Sequence, residues 1–156
     1  MNATLIFPLR GSKVLLGMKK RGSGVGWWNG FGGRVEEGET FEGAALRELF
    51  EESGLRAHAG DLHEAAQMKF FLPNETQIVH VYFLQQWEGE PLETEEMKPQ
   101  WFSVDELPYA SMWPGDHLWL PELFSGRKIE GELHFGTTTS EVRSVQIKDV
   151  NFQRPR

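Results

Sequence analysis

Glu48, Glu51 and Glu52 fall within one short segment, Arg47-Glu48-Leu-Phe-Glu51-Glu52, whose pattern predicts a helix. With Glu48 set at 0° and about 100° per residue, Glu52 lies at about 40° and Glu51 at about −60°. The three carboxylates therefore share an arc of about 100° on successive turns. Leu49, Leu46 and Phe50 fall near about 100°, 160° and 200°, which predicts a packing stripe beside the acidic one. Like charges at these spacings cost a few tenths of a kcal/mol per pair, and a place near the helix C-terminus sets them against the dipole. Two chemistries fit such an arrangement. One is a solvated acidic face. The other is a site for a hard divalent cation, since Mg²⁺ takes oxygen ligands and shares them between carboxylates and substrate phosphates.

The wider string decides between them. Gly33-Arg-Val-Glu-Glu-Gly-Glu39-Thr-Phe-Glu-Gly-Ala-Ala-Leu-Arg47-Glu48-Leu-Phe-Glu51-Glu52-Ser-Gly54-Leu55 resembles the Nudix box at every specified position, across residues 33–55. The resemblance implies an α/β (α+β) protein of the Nudix fold, an α/β/α sandwich around a mixed sheet with a loop–helix–loop catalytic motif. It implies Mg²⁺, for which Mn²⁺ can substitute, held by Glu48, Glu51 and Glu52, with the Gly32 backbone carbonyl as a further ligand. One of these glutamates, or a metal-bound water that it orients, would supply the nucleophile. Arg47 would brace the carboxylates by charge-assisted hydrogen bonds. The resemblance also implies a substrate built as a nucleoside diphosphate linked to another group, in which a metal bridging phosphate oxygens would neutralise developing charge and orient in-line attack.

Outside the box, Val14-Leu-Leu-Gly-Met-Lys-Lys-Arg21, Trp28-Asn-Gly-Phe-Gly-Gly33, Glu96-Met-Lys-Pro-x-Trp-Phe102 and Met112-Trp-Pro-x-Asp116 resemble segments of the oxidised-purine nucleoside triphosphatases related to MutT. That likeness implies cleavage of 8-oxo-dGTP to its monophosphate and pyrophosphate. It assigns Asn29 and Asp116 to the base edge, Trp113 to its face, Thr4, Lys19, Phe70 and Met97 to the pocket lining, and Glu96 to the metal–phosphate region. The residue types suit these tasks: stacking on an aromatic face is worth about 1–3 kcal/mol per base, and an amide with a carboxylate can read a purine edge. Taken singly, Trp113 reads more readily as core, Asn29 as a turn residue and Lys19 as a solvated charge.

The chain departs from those relatives at two pocket positions. They carry two adjacent Asp after Trp-Pro where this chain has Gly115-Asp116, and an aromatic where it has Ser23. A paired carboxylate can share a proton and both donate and accept. A lone Asp116 is expected to be ionised and to accept from N1–H and the 2-amino group of a guanine-type base, favouring 8-oxo-dGTP over 2-hydroxy-dATP. Gly115→Asp should then restore activity on 2-hydroxy-dATP. The alternatives are another Nudix substrate, such as a methylated purine triphosphate, a dinucleotide or ADP-ribose, or a nucleotide sensor without turnover. A sensor would be expected to have lost one of the three box glutamates.

These residues need elements to hold them. Thr4–Leu9 and Lys13–Met18 read as strands joined by Arg10-Gly11-Ser12. Seven glycines between Arg21 and Gly38 suit turns and close backbone approach. Thr40 can cap a helix over Phe41–Ser53, and Gly54 suits its left-handed C-terminal cap. Ala65–Leu72 and Gln77–Gln86 read as a hairpin around Pro73-Asn74-Glu75, Glu88–Lys98 as an acidic loop, and Pro99–Val104 as a further strand. Trp113–Gly126 is predicted to hold a second helix, with Pro121 forcing a break or a late start. Ile129–Phe135 and Val142–Val150 read as a closing hairpin, and Gln153–Arg156 as a loose tail.

The chain has 156 residues, which predicts one domain over residues 1–156. Its net charge of −7 argues against holding nucleic acid or an anionic membrane through a positive field. A phosphate substrate would need a metal to receive it. There is no cysteine, which excludes thiol nucleophiles and thiolate metal sites and suits a reducing compartment. With no signal-like N-terminus and no apolar run of about 20 residues, a cytoplasmic monomer is expected. The histidines, at 58, 63, 80, 117 and 134, show no metal-ligand spacing.

Overall fold

A computed structural model describes residues 1–152, and the expected tail at 153–156 lies outside them. The chain forms β1 (Asn2–Arg10), β2 (Lys13–Lys19), β3 (Trp28–Asn29), α1 (Phe41–Ser53), β4 (Leu62–Phe71), β5 (Thr76–Leu84), β6 (Met97–Ser103), α2 (Asp116–Phe124), β7 (Ile129–Phe135) and β8 (Val142–Asp149). Most strand ends shift by one to three residues from the sequence reading, and three differences bear on the site. β6 starts at Met97 rather than Pro99, because Met97 and Lys98 already pair with Lys19 and Met18. The glycine-rich segment contains β3, in which Trp28 and Asn29 pair with Met18 and Gly17. The second helix starts late, at Asp116, behind a left-handed Gly115, and carries Pro121 within it.

The sheet is mixed, in the order β3-β2-β1-β5-β4-β7-β8, with β6 on β2. β1 runs parallel to β5 and β4 parallel to β7; the other pairs are antiparallel. One helix covers each face. Phe7, Val14, Leu16 and Val81 pack with Trp119, Leu120 and Leu123 of α2, while their neighbours Ile6, Leu15 and Tyr82 pack with Ala45 and Leu49 of α1. β1 thus buries both its faces, as a central strand between two layers must, and each such side chain contributes roughly 1.5–3 kcal/mol. The result is the expected α/β/α sandwich. Among the described residues no helix is long and apolar enough to cross a membrane.

A bulge in β4 between Glu64 and Ala66 matters for the site. Before it, Leu62 joins the α1 layer; after it, Ala66 and Met68 join the α2 layer. The extra residue shifts the alternation by one. Phe70 is thereby turned to the α2 side, where its ring lies 5.9 Å from that of Trp119.

Candidate active site

α1 is fixed at both ends. The Thr40 hydroxyl accepts from the Gly43 N–H at 3.0 Å, and Gly54 ends the helix at φ 78° with its N–H on the Phe50 carbonyl. Its buried residues are Ala44, Ala45, Leu49, Glu52 and Ser53. Phe50, expected in the packing stripe, is 45% exposed, because the buried face is centred nearer about 60° than 160° on the helical wheel. Glu52, at about 40°, consequently lies within the buried face and not beside it.

That placement sets the acid's chemistry. Glu52 is 7% exposed and its Oε1 accepts from the Gly32 N–H at 2.8 Å. Burial pushes its pKa up to about 8, against the Gly32 hydrogen bond and with help from the nearby charges of Glu48 and Glu96. Glu48 is half-buried and raised for the same first reason, with Arg47 opposing. Arg47 holds the group together: Nη1 donates to Glu48 Oε1 at 2.9 Å and reaches Glu51 Oε2 at 3.4 Å. It also grips Glu39 in a bidentate pair, at 2.8 and 2.9 Å, which holds the Glu39 carboxyl down at about 2. Glu39 stood in the motif without a role; its partner became visible only when the loop folded back on α1.

Two cavities meet here. The first, of about 320 Å³, is lined by Thr4, Lys19, Asn29, Phe70, Met97, Trp113 and Asp116, with Gly32 and Glu52 at one end. Every residue predicted to contact the nucleotide lines it. The second is an open cavity lined by Glu48, Glu51, Glu52 and Glu96, with Arg21 and Thr94. Glu52 belongs to both walls, and Arg47 touches neither. Among the described residues no three acidic or imidazole groups are gathered closely enough to hold a metal as they stand; Arg47 spans Glu48 and Glu51, and Arg21 is paired with Glu96. The donors are nonetheless all oxygens around one cavity, and the Gly32 carbonyl accepts no hydrogen bond among the described residues. This set suits a hard divalent cation.

In the first cavity, Asn29 Oδ1 accepts from the Gly30 N–H at 2.9 Å, so its NH₂ is the group left to donate to a ligand. Trp27 meets the Trp113 ring edge-on at 4.7 Å. Asp116 is buried, accepts from Trp119 Nε1 at 3.3 Å, and is raised by burial to about 7. Asp116, expected to be mostly ionised, is therefore pushed toward its protonated form in the free protein, where both forms are populated near neutral pH. Gly115→Asp meets an obstacle in the fold: Gly115 holds φ 94°, and a Cβ there would lie 2.6 Å from Leu133 Cδ2, so an aspartate is strained and needs Leu133 to shift before it can stand beside Asp116.

Adjacent glycines divide fold from site. A Cβ on Gly32 would run into the backbone carbonyl of Thr4 in β1, whereas one on Gly33 would lie 2.7 Å from the Glu48 carboxyl carbon. Gly32→Ala should lower unfolding stability by about 3 kcal/mol. Gly33→Ala should leave stability within about 1 kcal/mol, because a carboxylate can swing aside, yet lower turnover by about 10²-fold. Denaturant titration beside steady-state kinetics separates the two.

The raised acids also fix how metal-free stability responds to pH. Between its ordinary pKa of 4.5 and about 8, folded Glu52 holds a proton that the unfolded chain has released, and Asp116 does so between 3.8 and about 7. Stability therefore falls as pH rises through these windows, by a few kcal/mol for each group. Thermal melts in EDTA should show Tm dropping from pH 5 to pH 8, with Mg²⁺ recovering the share that belongs to Glu52 at pH 8.

Leu133 and Phe135 of β7, and Gln77 of β5, also line the first cavity and were not anticipated. β7 reaches the pocket because it pairs in parallel with β4, with Leu133 opposite Phe70. Its own alternation gave the strand but not its partner.

The chain matches the NUDIX domain over residues 1–123. It is 47% identical over 134 residues, 85% of each chain, to the oxidized purine nucleoside triphosphate hydrolase of Danio rerio. With the enzyme of the same name from Mus musculus it shares 46% over 134 residues, again 85% of each. Among solved structures, the MutT protein of Bacillus halodurans is 25% identical, with a TM-score of 0.80 over 94% of this chain and 96% of its own. The matched span takes in the whole glutamate helix, Glu96, Trp113 and Asp116, and by motif, fold and relatives alike this chain belongs to the NUDIX family of hydrolases.

Proposed function

We propose that this chain, acting as a single domain over residues 1–156, is a Mg²⁺-dependent pyrophosphohydrolase. Its substrates are oxidised purine nucleoside triphosphates, 8-oxo-dGTP foremost, cleaved to the monophosphate and pyrophosphate. The observation that carries this reading is the position of Glu52 in the wall between an aromatic, base-sized cavity and the carboxylate cavity. A nucleotide with its base in the first must run its phosphates toward the second.

Nudix hydrolases generally depend on a divalent metal, and here Glu48, Glu51, Glu52, Glu96 and the Gly32 carbonyl would hold it. When bound, Mg²⁺ supplies charge neutralisation at phosphate oxygens and a lowered pKa to water. The chain's own groups do the rest. Arg47 orients Glu48 and Glu51 and is itself anchored by Glu39. A glutamate of the trio takes the proton of the attacking water. Trp113 stacks on the base, held edge-on by Trp27; the Asn29 amide donates to O6; ionised Asp116 accepts from N1–H and the 2-amino group. Thr4, Lys19, Phe70 and Met97 close the walls. This acceptor pattern favours a guanine-type base over 2-hydroxyadenine.

In the cell the activity would remove damaged precursors from the nucleotide pool of the cytoplasm, with a monomer sufficing because both cavities are built from one chain. The test is product analysis. 8-oxo-dGTP with Mg²⁺ should give equimolar 8-oxo-dGMP and pyrophosphate, and EDTA should stop it. Release of inorganic phosphate and 8-oxo-dGDP would reject the reaction assigned here.

A further inference from the structure

The loop after β2 reaches across to the segment that carries Glu96. Lys20 ion-pairs with Glu93 at 2.8 Å and donates to the Thr94 carbonyl at 2.8 Å, and its backbone N–H donates to the Glu96 carbonyl at 2.9 Å. Arg21 donates from Nε to Glu96 Oε1 at 3.0 Å and from Nη2 to the same oxygen. Its guanidinium stands in the wall of the carboxylate cavity with Glu48, Glu51 and Glu52. The far end of the loop is held too, since Gly24 backs onto the Trp113 ring and Trp27 meets it edge-on. Arg21 is thus tied on both sides.

We propose that Arg21 is a tethered cation that competes with the divalent metal for Glu96; the inference rests on the metal reading given above. Both donors that Arg21 directs at Glu96 use Oε1, which leaves Oε2 for a metal ligand bond, and Nη1 lies 3.7 Å from Glu95 Oε2; the Glu96 charge is thus already neutralised and a second positive group sits beside the incoming dication. Arg21 must turn away for Glu96 to serve as a full ligand. In the metal-free protein it lowers the repulsion among the neighbouring carboxylates of that cavity, the role that the metal takes over. The loop's attachment keeps the guanidinium at high local concentration throughout. Because the Arg21–Glu96 pair is exposed, the competition is modest, about three- to five-fold in metal affinity.

Calorimetric titration with Mn²⁺, without nucleotide, tests it on the wild type, Arg21→Gln and Lys20→Gln. Arg21→Gln should bind Mn²⁺ about three- to five-fold tighter. Lys20→Gln removes the same charge one residue away and should change affinity less than about twofold, and Arg21→Gln should add nothing in a Glu96→Gln background. Mg²⁺ should also move the Arg21 Nε–Hε cross-peak in ¹H–¹⁵N spectra. Equal tightening in both single variants would reduce the effect to net charge and overturn the proposal, as would unchanged or weaker binding in Arg21→Gln, or a cross-peak indifferent to Mg²⁺. A wild type that binds no Mn²⁺ would instead overturn the metal reading itself, and the inference with it.

Discussion

Glu52→Gln should lower kcat for 8-oxo-dGTP by about 10³-fold or more while making the metal-free protein more stable at pH 8. The two effects have one cause. Glu52 is a carboxylate placed in the buried face of α1, where burial pushes its pKa up to about 8, so its charge opposes folding whenever it is ionised. Glutamine keeps the oxygen that accepts from the Gly32 N–H at 2.8 Å and discards the charge. What is lost is a ligand for the cation and its share of charge stabilisation at the phosphates, about 4 kcal/mol of transition-state free energy for that fall in rate. Melts in EDTA should show the variant's Tm falling less than the wild type's from pH 5 to pH 8, with the remaining fall, that of Asp116, complete by about pH 7. A variant that lost both activity and stability would mean that Glu52 serves packing and not the metal.

Asp116→Asn is the second large effect. Asp116 is buried against Trp119 and Tyr109, and its pKa lies near 7 in the free protein. Reading a guanine edge takes an acceptor for two donors, which the ionised acid provides and an amide cannot, since one of its two terminal groups is a donor. Replacing a buried charged acceptor so that one of two donors is left unpaired costs about 3–4 kcal/mol, so kcat/KM for 8-oxo-dGTP should fall by about 10²–10³-fold. The wild-type kcat/KM should itself decline as pH drops below about 7, because Asp116 must then be deprotonated at a cost, and the variant should lack that limb. The loss should fall mainly on KM, since Asp116 contacts the base and not the reacting phosphorus. Trp113→Ala should cost less, about 1–3 kcal/mol, the worth of one stacked base.

The helix of glutamates was legible because everything that builds it is local. Thr40, Gly54 and the spacing of Leu49 and Ala45 fix α1 without reference to the rest of the chain, and the motif's fixed register does the rest. The orientation of α1 was less legible: the wheel put Phe50 in the core and Glu52 beside it, whereas the sheet takes Ala44, Ala45 and Leu49 and buries Glu52 with them. Helical spacing gives relative angles, and only the partner surface chooses which arc is covered. The pocket shows the same division. Asn29 and the segment that carries Trp113 and Asp116 lie far apart in sequence and could be joined only by resemblance. Leu133 and Phe135 went unnoticed because β7 finds β4 through a parallel pairing that no local pattern announces. The bulge that turns Phe70 inward and the glycine at position 115 are likewise tertiary facts. At position 115 a second aspartate would have to adopt a positive φ and displace the Leu133 side chain.

Selectivity is the most direct measurement, taken as kcat/KM with Mg²⁺ for 8-oxo-dGTP, dGTP, 2-hydroxy-dATP, O6-methyl-dGTP and ADP-ribose on one preparation, with EDTA controls. 8-oxo-dGTP should lead dGTP by at least about tenfold, a difference of about 1.4 kcal/mol, and 2-hydroxy-dATP should trail both. Equal slow cleavage of every triphosphate, or cleavage of ADP-ribose alone, would leave the glutamate helix correctly assigned and contradict the base pocket.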